Sequence, residues 1–281
     1  MSDSATRELN HSYVLTRADS GRWAKCLSDI GNGLALWRLW VTLGWNDILQ
    51  RYRRSILGPF WLTASMAVMV VALGFLYAEL FRTPIRDFLP YLCVGLLVWN
   101  FLSSFLTEGC NLFIGSESYI KQIKLPFSVY VFRFSWSKLI VFAHNFVIYF
   151  GIILYFGIWP GATALLFLPA LALLILNGAA ASTYLGMLSA RFRDIPQLVA
   201  SIVQIIFFMT PIMWKTDLLQ GRRMVADINP FYHLIEIARA PLLGVVPDMK
   251  HYVIVLAITV INLGFALLFF VRFRNRVAYW V

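Results

Sequence analysis

Between Leu139 and Ala190 the chain carries no Asp, Glu, Lys or Arg. One crossing of a bilayer's hydrocarbon layer takes about 20 apolar residues, so this run is too long for one span. The segment "GIWPGA", Gly157 to Ala162, divides it, since Gly and Pro punctuate helices. Spans are therefore expected at 139–156 and 163–190. Four further charge-free runs give spans at 55–78, 88–107, 195–214 and 252–271. Composition agrees: 60% of the 281 residues are hydrophobic, 14% are charged, and mean hydropathy is +0.72. A soluble domain carries about a quarter charged residues and could not hide this much apolar surface. The expected fold is an all-α integral membrane protein with six transmembrane helices, occupying 55–272.

Orientation follows from Lys and Arg, which favour the cytoplasmic side. With both termini cytoplasmic, 17 of the 24 basic residues fall inside. The net charge of +10 then faces anionic lipid and calls for no nucleic acid. The first 30 residues are polar and lack the apolar core of a signal peptide. Cys26, Cys93 and Cys110 have neither metal nor disulfide spacing.

Residues 1–33 read as a mobile cytoplasmic tail, and 34–54 as an amphipathic interface helix. Leu34, Trp37, Val41, Trp45, Ile48 and Tyr52 share one arc at 100° per residue, and Arg38, Thr42, Asn46, Gln50 and Arg53 another. Leu36, Leu39, Trp40 and Leu43 fall outside the apolar arc, so a plain lead-in to the first span fits as well. "RYRRSILGPFW" sets Arg51, Arg53 and Arg54 at the inner membrane boundary.

Between the second and third spans, "GSESYIKQIKLP" reads as a short helix, with Ser116 to Ser118 as caps and Pro126 as its stop. It suits docking on a partner and lying on the membrane equally. "SARFRDIP", Ser189 to Pro196, reads first as a tight connector and second as another docking point. Gly178, Ser182 and Gly186 recur every four residues and let a neighbouring helix come close. Pro211 should kink the fifth span or break its ladder. His144 and Asn145 lie mid-membrane and suit interhelical hydrogen bonds. Lys215 to Lys250 contains a helix pattern starting at Asn229 and Pro230 and ending at Pro241 and Gly244. Its apolar residues suggest short periplasmic helices re-entering the membrane. Residues 273–281 form a cytoplasmic C-terminus.

Catalytic patterns are missing. There is no nucleotide-cradling G-x-x-x-x-G-K-[ST] loop, no H-E-x-x-H and no G-x-S-x-G. The expectation is no enzyme activity, no metal site and no cofactor on this chain. Internal repeats and acidic relay residues of ion-coupled transporters are also lacking.

"NDILQRYRRSILGPFW", "YIKQIKLP", "ARFRDI", the Asn229-Pro230-Phe231 element and "RFRNRVAYWV", in that order, resemble permeases of bacterial polysaccharide ABC exporters, the type-2 ABC exporter family. The resemblance runs from about Leu34 to Val281. It implies a homodimer joined by two copies of a separate ATPase subunit that binds ATP and Mg, carrying a lipid-linked polysaccharide across the bacterial inner membrane. It implies that Asp47, Arg51, Arg53, Arg54, Tyr119, Ile120, Lys121, Lys124, Arg191, Arg193 and Asp194 couple to the ATPase. Asn229, Pro230, Phe231, Glu236 and Arg239 would form a periplasmic gate. Trp61, Phe75, Tyr77, Trp99, Phe101 and Phe105 are candidates for lining a channel, because aromatic faces stack on sugar rings. Two other classes stay open: an exporter of drugs or small lipids with the same fold, and a membrane enzyme acting on lipid-linked sugars. The enzyme would need paired carboxylates or a His–acid pair, and Glu79, Asp87 and Glu108 show no pairing.

Overall fold

The computed structural model describes residues 21–51, 60–216 and 224–281. Every regular element among them is helical. Helices α1 (residues 21–35) and α2 (Trp37–Arg51) precede α3 (Phe60–Leu80) and α4 (Ile85–Thr107). Short 3-10 turns lead to α5 (Glu117–Gln122), α6 (Phe127–Phe156) and α7 (Phe167–Arg191). Next come α8 (Ile195–Met209), α9 (Met224–Asp227), α10 (Pro230–Leu242) and α11 (Met249–Trp280).

Among the described residues, five helical stretches, those of α3, α4, α6, α7 and α11, are long and apolar enough to cross a membrane. The chain is a multi-pass membrane protein. Helix α8 is different, with 15 residues and a length of about 22 Å against roughly 30 Å of hydrocarbon. Where one span over 195–214 was expected, the helix ends at Met209, two residues before Pro211. Thr210 is extended (φ −93°, ψ 136°), because the ring of Pro211 disfavours a helical residue before it. The break inside the longest charge-free run comes where Gly and Pro cluster. Gly157 takes φ +63° and the Ile158 amide donates to the Ile153 carbonyl at 2.9 Å, a left-handed cap that closes α6.

Helix α4 is the hub. Phe88, Leu92, Cys93, Val94, Leu97, Val98 and Phe105 are fully enclosed, with α3, α6, α7, α8 and α10 packed around them. The small residues of α7 make this possible. A Cβ on Gly178 would stand 2.5 Å from the Phe105 ring, while Ser182 Oγ donates to the Phe105 carbonyl at 2.7 Å. Helices α7 and α11 are joined by amides, where lipid offers no competing water. Asn177 Nδ2 donates to Thr259 Oγ1 at 2.7 Å, and Asn262 Nδ2 to the Asn177 carbonyl at 3.0 Å.

The mobile tail expected over 1–33 needs correcting from residue 21 onward, where α1 is docked. Its polar residues are one side of a helix, and Cys26 on the other side is fully buried with Tyr130, Met187, Phe270 and Val277. The Asp29 carboxylate accepts from the amides of Phe127 (3.1 Å) and Ser128 (3.0 Å). It thus satisfies the unpaired N–H groups at the start of α6 and complements that helix's positive end. Gly33 permits the approach, since a Cβ there would lie 2.1 Å from Ser128 Oγ. The Arg274 guanidinium holds the Lys25 carbonyl, tying α1 to the end of α11.

Helix α2 lies against α6 by a face that coincides only in part with the apolar arc read in the sequence. Trp40 meets Phe132 and Trp136 edge-on or tilted. At Gly44 a Cβ would stand 2.9 Å from the Arg133 carbonyl. Trp37 and Trp45 are exposed. Trp40, set outside the arc, makes this packing, and Ile48 of the arc is buried as well, because a helix between lipid and protein has two apolar contacts to satisfy.

Candidate coupling surface and transport path

At one end of the long helices, three segments meet. Arg133, on the second turn of α6, donates from Nε to Asp47 Oδ2 at 2.7 Å and from Nη2 to Oδ1. The same guanidinium lies 4.8 Å from the centre of the Tyr119 ring. One planar cation therefore joins α2 to α5 through a two-pronged ion pair and a cation–π contact. Asp47 and Tyr119 were both singled out in the sequence. Arg133 was counted there only as an inner-side charge, and its one signal was an arginine within the apolar stretch "VYVFRFSW".

Helix α5 exposes Lys121, and Ile123 and Lys124 just after it are exposed too, with Ile120 half-buried. Lys121 Nζ lies 2.5 Å from Glu117 Oε1. This hydrogen bond, assisted by the charge of Arg193, holds the Glu117 carboxyl below its ordinary range. Arg193 Nη2 donates to the Trp280 carbonyl at 3.2 Å, and Arg191 lies 5.9 Å from the Trp280 ring. Asp194 precedes α8 without a side-chain capping bond. Ser116 also gives α5 no side-chain cap; its hydroxyl instead donates to the Leu112 carbonyl at 2.9 Å. Arg51 ends α2, while Arg53 and Arg54 lie outside the described residues.

At the opposite end, Asn229 caps α10 by accepting from the Phe231 amide at 2.9 Å, and its Nδ2 donates to Thr210 Oγ1 at 2.8 Å. Pro230 occupies the first turn. Arg239, 1% exposed, lies 2.5 Å from Glu236 Oε2 and donates to the Pro211 carbonyl at 2.9 Å. Its guanidinium sits 3.9 Å from the Tyr91 ring centre. Tyr91 Oη in turn donates to the Trp214 carbonyl at 3.1 Å. The residues read as gate members thus pin the turn after α8 to α10 and α4.

The aromatic set divides. Trp61 and Phe75 on α3 are exposed, and Tyr77 is half-buried beside Phe81. Trp99, Phe101 and Phe105 are core residues, packed on Phe231, Phe142 and Phe134 respectively. Trp99 and Phe105 are thus held inside their own chain, while Phe101 also borders a cavity between α3, α4 and α6. Alternating bulk on α4 reads alike for a core and for a lining. Among the described residues, no group of three or more His, Cys, Asp or Glu could hold a metal ion.

Residues 38–243, from α2 through α10, match the ABC-2 type transporter family. The chain belongs to that family. Among relatives of this ABC-2 chain is the O-antigen export system permease protein RfbA of Myxococcus xanthus. It is 25% identical over 205 residues, covering 70% of this chain and 77% of the relative. The protein of the same name from Klebsiella pneumoniae is 23% identical over 202 residues, 71% of this chain and 78% of its own. The matched region of the ABC-2 chain includes all three segments that meet at Arg133.

Proposed function

We propose that this ABC-2 chain is the membrane subunit of an ATP-driven exporter that moves a lipid-linked polysaccharide, of O-antigen type, across the bacterial inner membrane. The observation that carries the reading is the similarity of some 70% of the chain to relatives named as O-antigen export permeases. Two copies form the channel, and two separate ATPase subunits, holding ATP and Mg, seat against α5 and the Arg191–Asp194 loop. Closure of the ATPases on ATP moves α5, and Arg133 passes that motion to α2 and α6. The exposed faces of Trp61 and Phe75, with Tyr77, meet the polymer, and α10 gates its exit.

Six crossings with both termini cytoplasmic are part of this reading, and parity supports them. The Lys25 carbonyl and Arg274 are hydrogen-bonded, so they lie on one side of the membrane. An even number of crossings must separate them, and five long helices make an odd number. Helix α8 starts beside α7 at the coupling surface, and the turn after it reaches Tyr91, near the opposite end of α4. That segment supplies the sixth crossing, with α10 re-entering from the outer face.

Purification of the tagged chain from its own membrane in mild detergent tests the reading. We expect an equimolar subunit with a nucleotide-binding loop, a mass corresponding to two copies of each, and ATP hydrolysis raised by lipid-linked glycan. A dimer without an ATPase overturns the exporter; hydrolysis raised by small lipids but not by the glycan overturns the substrate.

A further inference from the structure

Between α3, α4 and α6 a cavity of about 230 Å³ opens among Ser65, Asn100, Ser104 and Asn145. A second, of about 580 Å³, lies toward the coupling surface among Asp47, Gln50, Asn111 and Arg133. Glu108 and Lys138 border both. The two cavities therefore adjoin, and these two charges stand at the neck between them. The inner cavity is amphipathic, because Met66, Met69 and Leu97 share its wall with the amides and hydroxyls.

The charges at the neck are unequally placed. Lys138 Nζ lies 2.6 Å from Glu108 Oε2, but the lysine side chain is 5% exposed and the glutamate 44%. A buried ammonium must keep an anion beside it. A half-exposed carboxylate is a replaceable anion, since it can turn into the outer cavity and be hydrated there. The Asn100 and Asn145 amides carry N–H groups for the remaining oxygens of a tetrahedral anion, while the Ser65 and Ser104 hydroxyls donate to the Trp61 and Phe101 carbonyls. The apolar wall would hold one hydrocarbon chain.

We propose that this cavity binds the phosphate-type headgroup of a single-chain anionic lipid, with Lys138 taking the phosphate as Glu108 swings aside. The proposal deepens the exporter reading by naming where the lipid end of the cargo is held. It concerns binding to this chain alone, so its failure is distinct from absence of an ATPase partner.

The probe is radiolabelled dodecyl phosphate, bound to the purified full chain in non-ionic detergent, with dodecanol and inorganic phosphate as competitors. Saturable binding is expected, with both competitors weaker by about tenfold or more. Lys138→Met should weaken binding about tenfold, while Lys138→Arg stays within about threefold. Glu108→Gln should strengthen it about threefold or more, because it removes the competing carboxylate. That increase separates a ligand site from a structural ion pair, and it decides the matter even if Lys138→Met fails to fold. Unchanged affinity in Glu108→Gln overturns the exchange. Dodecanol competing as well as dodecyl phosphate overturns the anion site, and inorganic phosphate doing so overturns the lipid.

Discussion

Helices α3 and α4 follow one another in the chain and have similar mean hydropathy, 1.9 and 1.7 over their most apolar stretches, yet 17% of the first is buried and 72% of the second. Each is apolar all round, because one is bathed by protein and the other by whatever lies outside it. Helix α3 touches its neighbours along a single stripe, Thr63, Met66, Val70, Gly74 and Ala78, at the spacing of one helix face. Its other faces display Phe60, Trp61, Val68, Phe75 and Leu76. Hydropathy thus identifies the solvent of a membrane helix and says nothing about its partners.

Substitutions on the two helices should separate sharply. Phe105→Ala empties space under Gly178 and should cost roughly 3–5 kcal/mol, read as loss of folded protein on heating in detergent. Arg239→Met leaves Glu236 without its buried partner and should cost about as much, some 3–5 kcal/mol, in the same assay. Gly74→Val drives a methyl group into Leu89, 2.1 Å from where a Cβ would be. It should cost about 1–3 kcal/mol by forcing α3 and α4 apart. A double-mutant cycle of Asp47→Ala with Arg133→Ala should give a coupling of about 1–3 kcal/mol. Phe75→Leu, on the open face of α3, should change stability by less than about 0.5 kcal/mol while lowering polymer export in reconstituted vesicles. If Phe75→Leu destabilises as Phe105→Ala does, the contrast between the two helices is lost.

The sequence already contained the helical class, the break at Gly157 and the close-packing stripe of α7, because each depends on local composition or spacing. Arg133 was not legible as a junction. Its partners lie 86 and 14 positions away, and only the fold brings them together. Helix α1 was hidden because half its surface is wet, which gives a polar composition without disorder. The burial of Trp99, Phe101 and Phe105 was not legible either, because an aromatic residue on a membrane helix has the same pattern whether it meets lipid, cargo or another helix.

Helix α6 gathers contacts at both ends. Its N-terminal end is held by Asp29, Asp47 and Tyr119, and toward its C-terminal end Tyr149 Oη donates to the Leu242 carbonyl of α10 at 2.6 Å. At 30 residues it is about 45 Å long, well beyond the hydrocarbon it crosses. A rod of that length turns angle into travel: a tilt of about 5° about one end carries the other by roughly 4 Å. With both ends tied to different segments, the helix can relay a push across the bilayer without bending and without breaking a single hydrogen bond of its own.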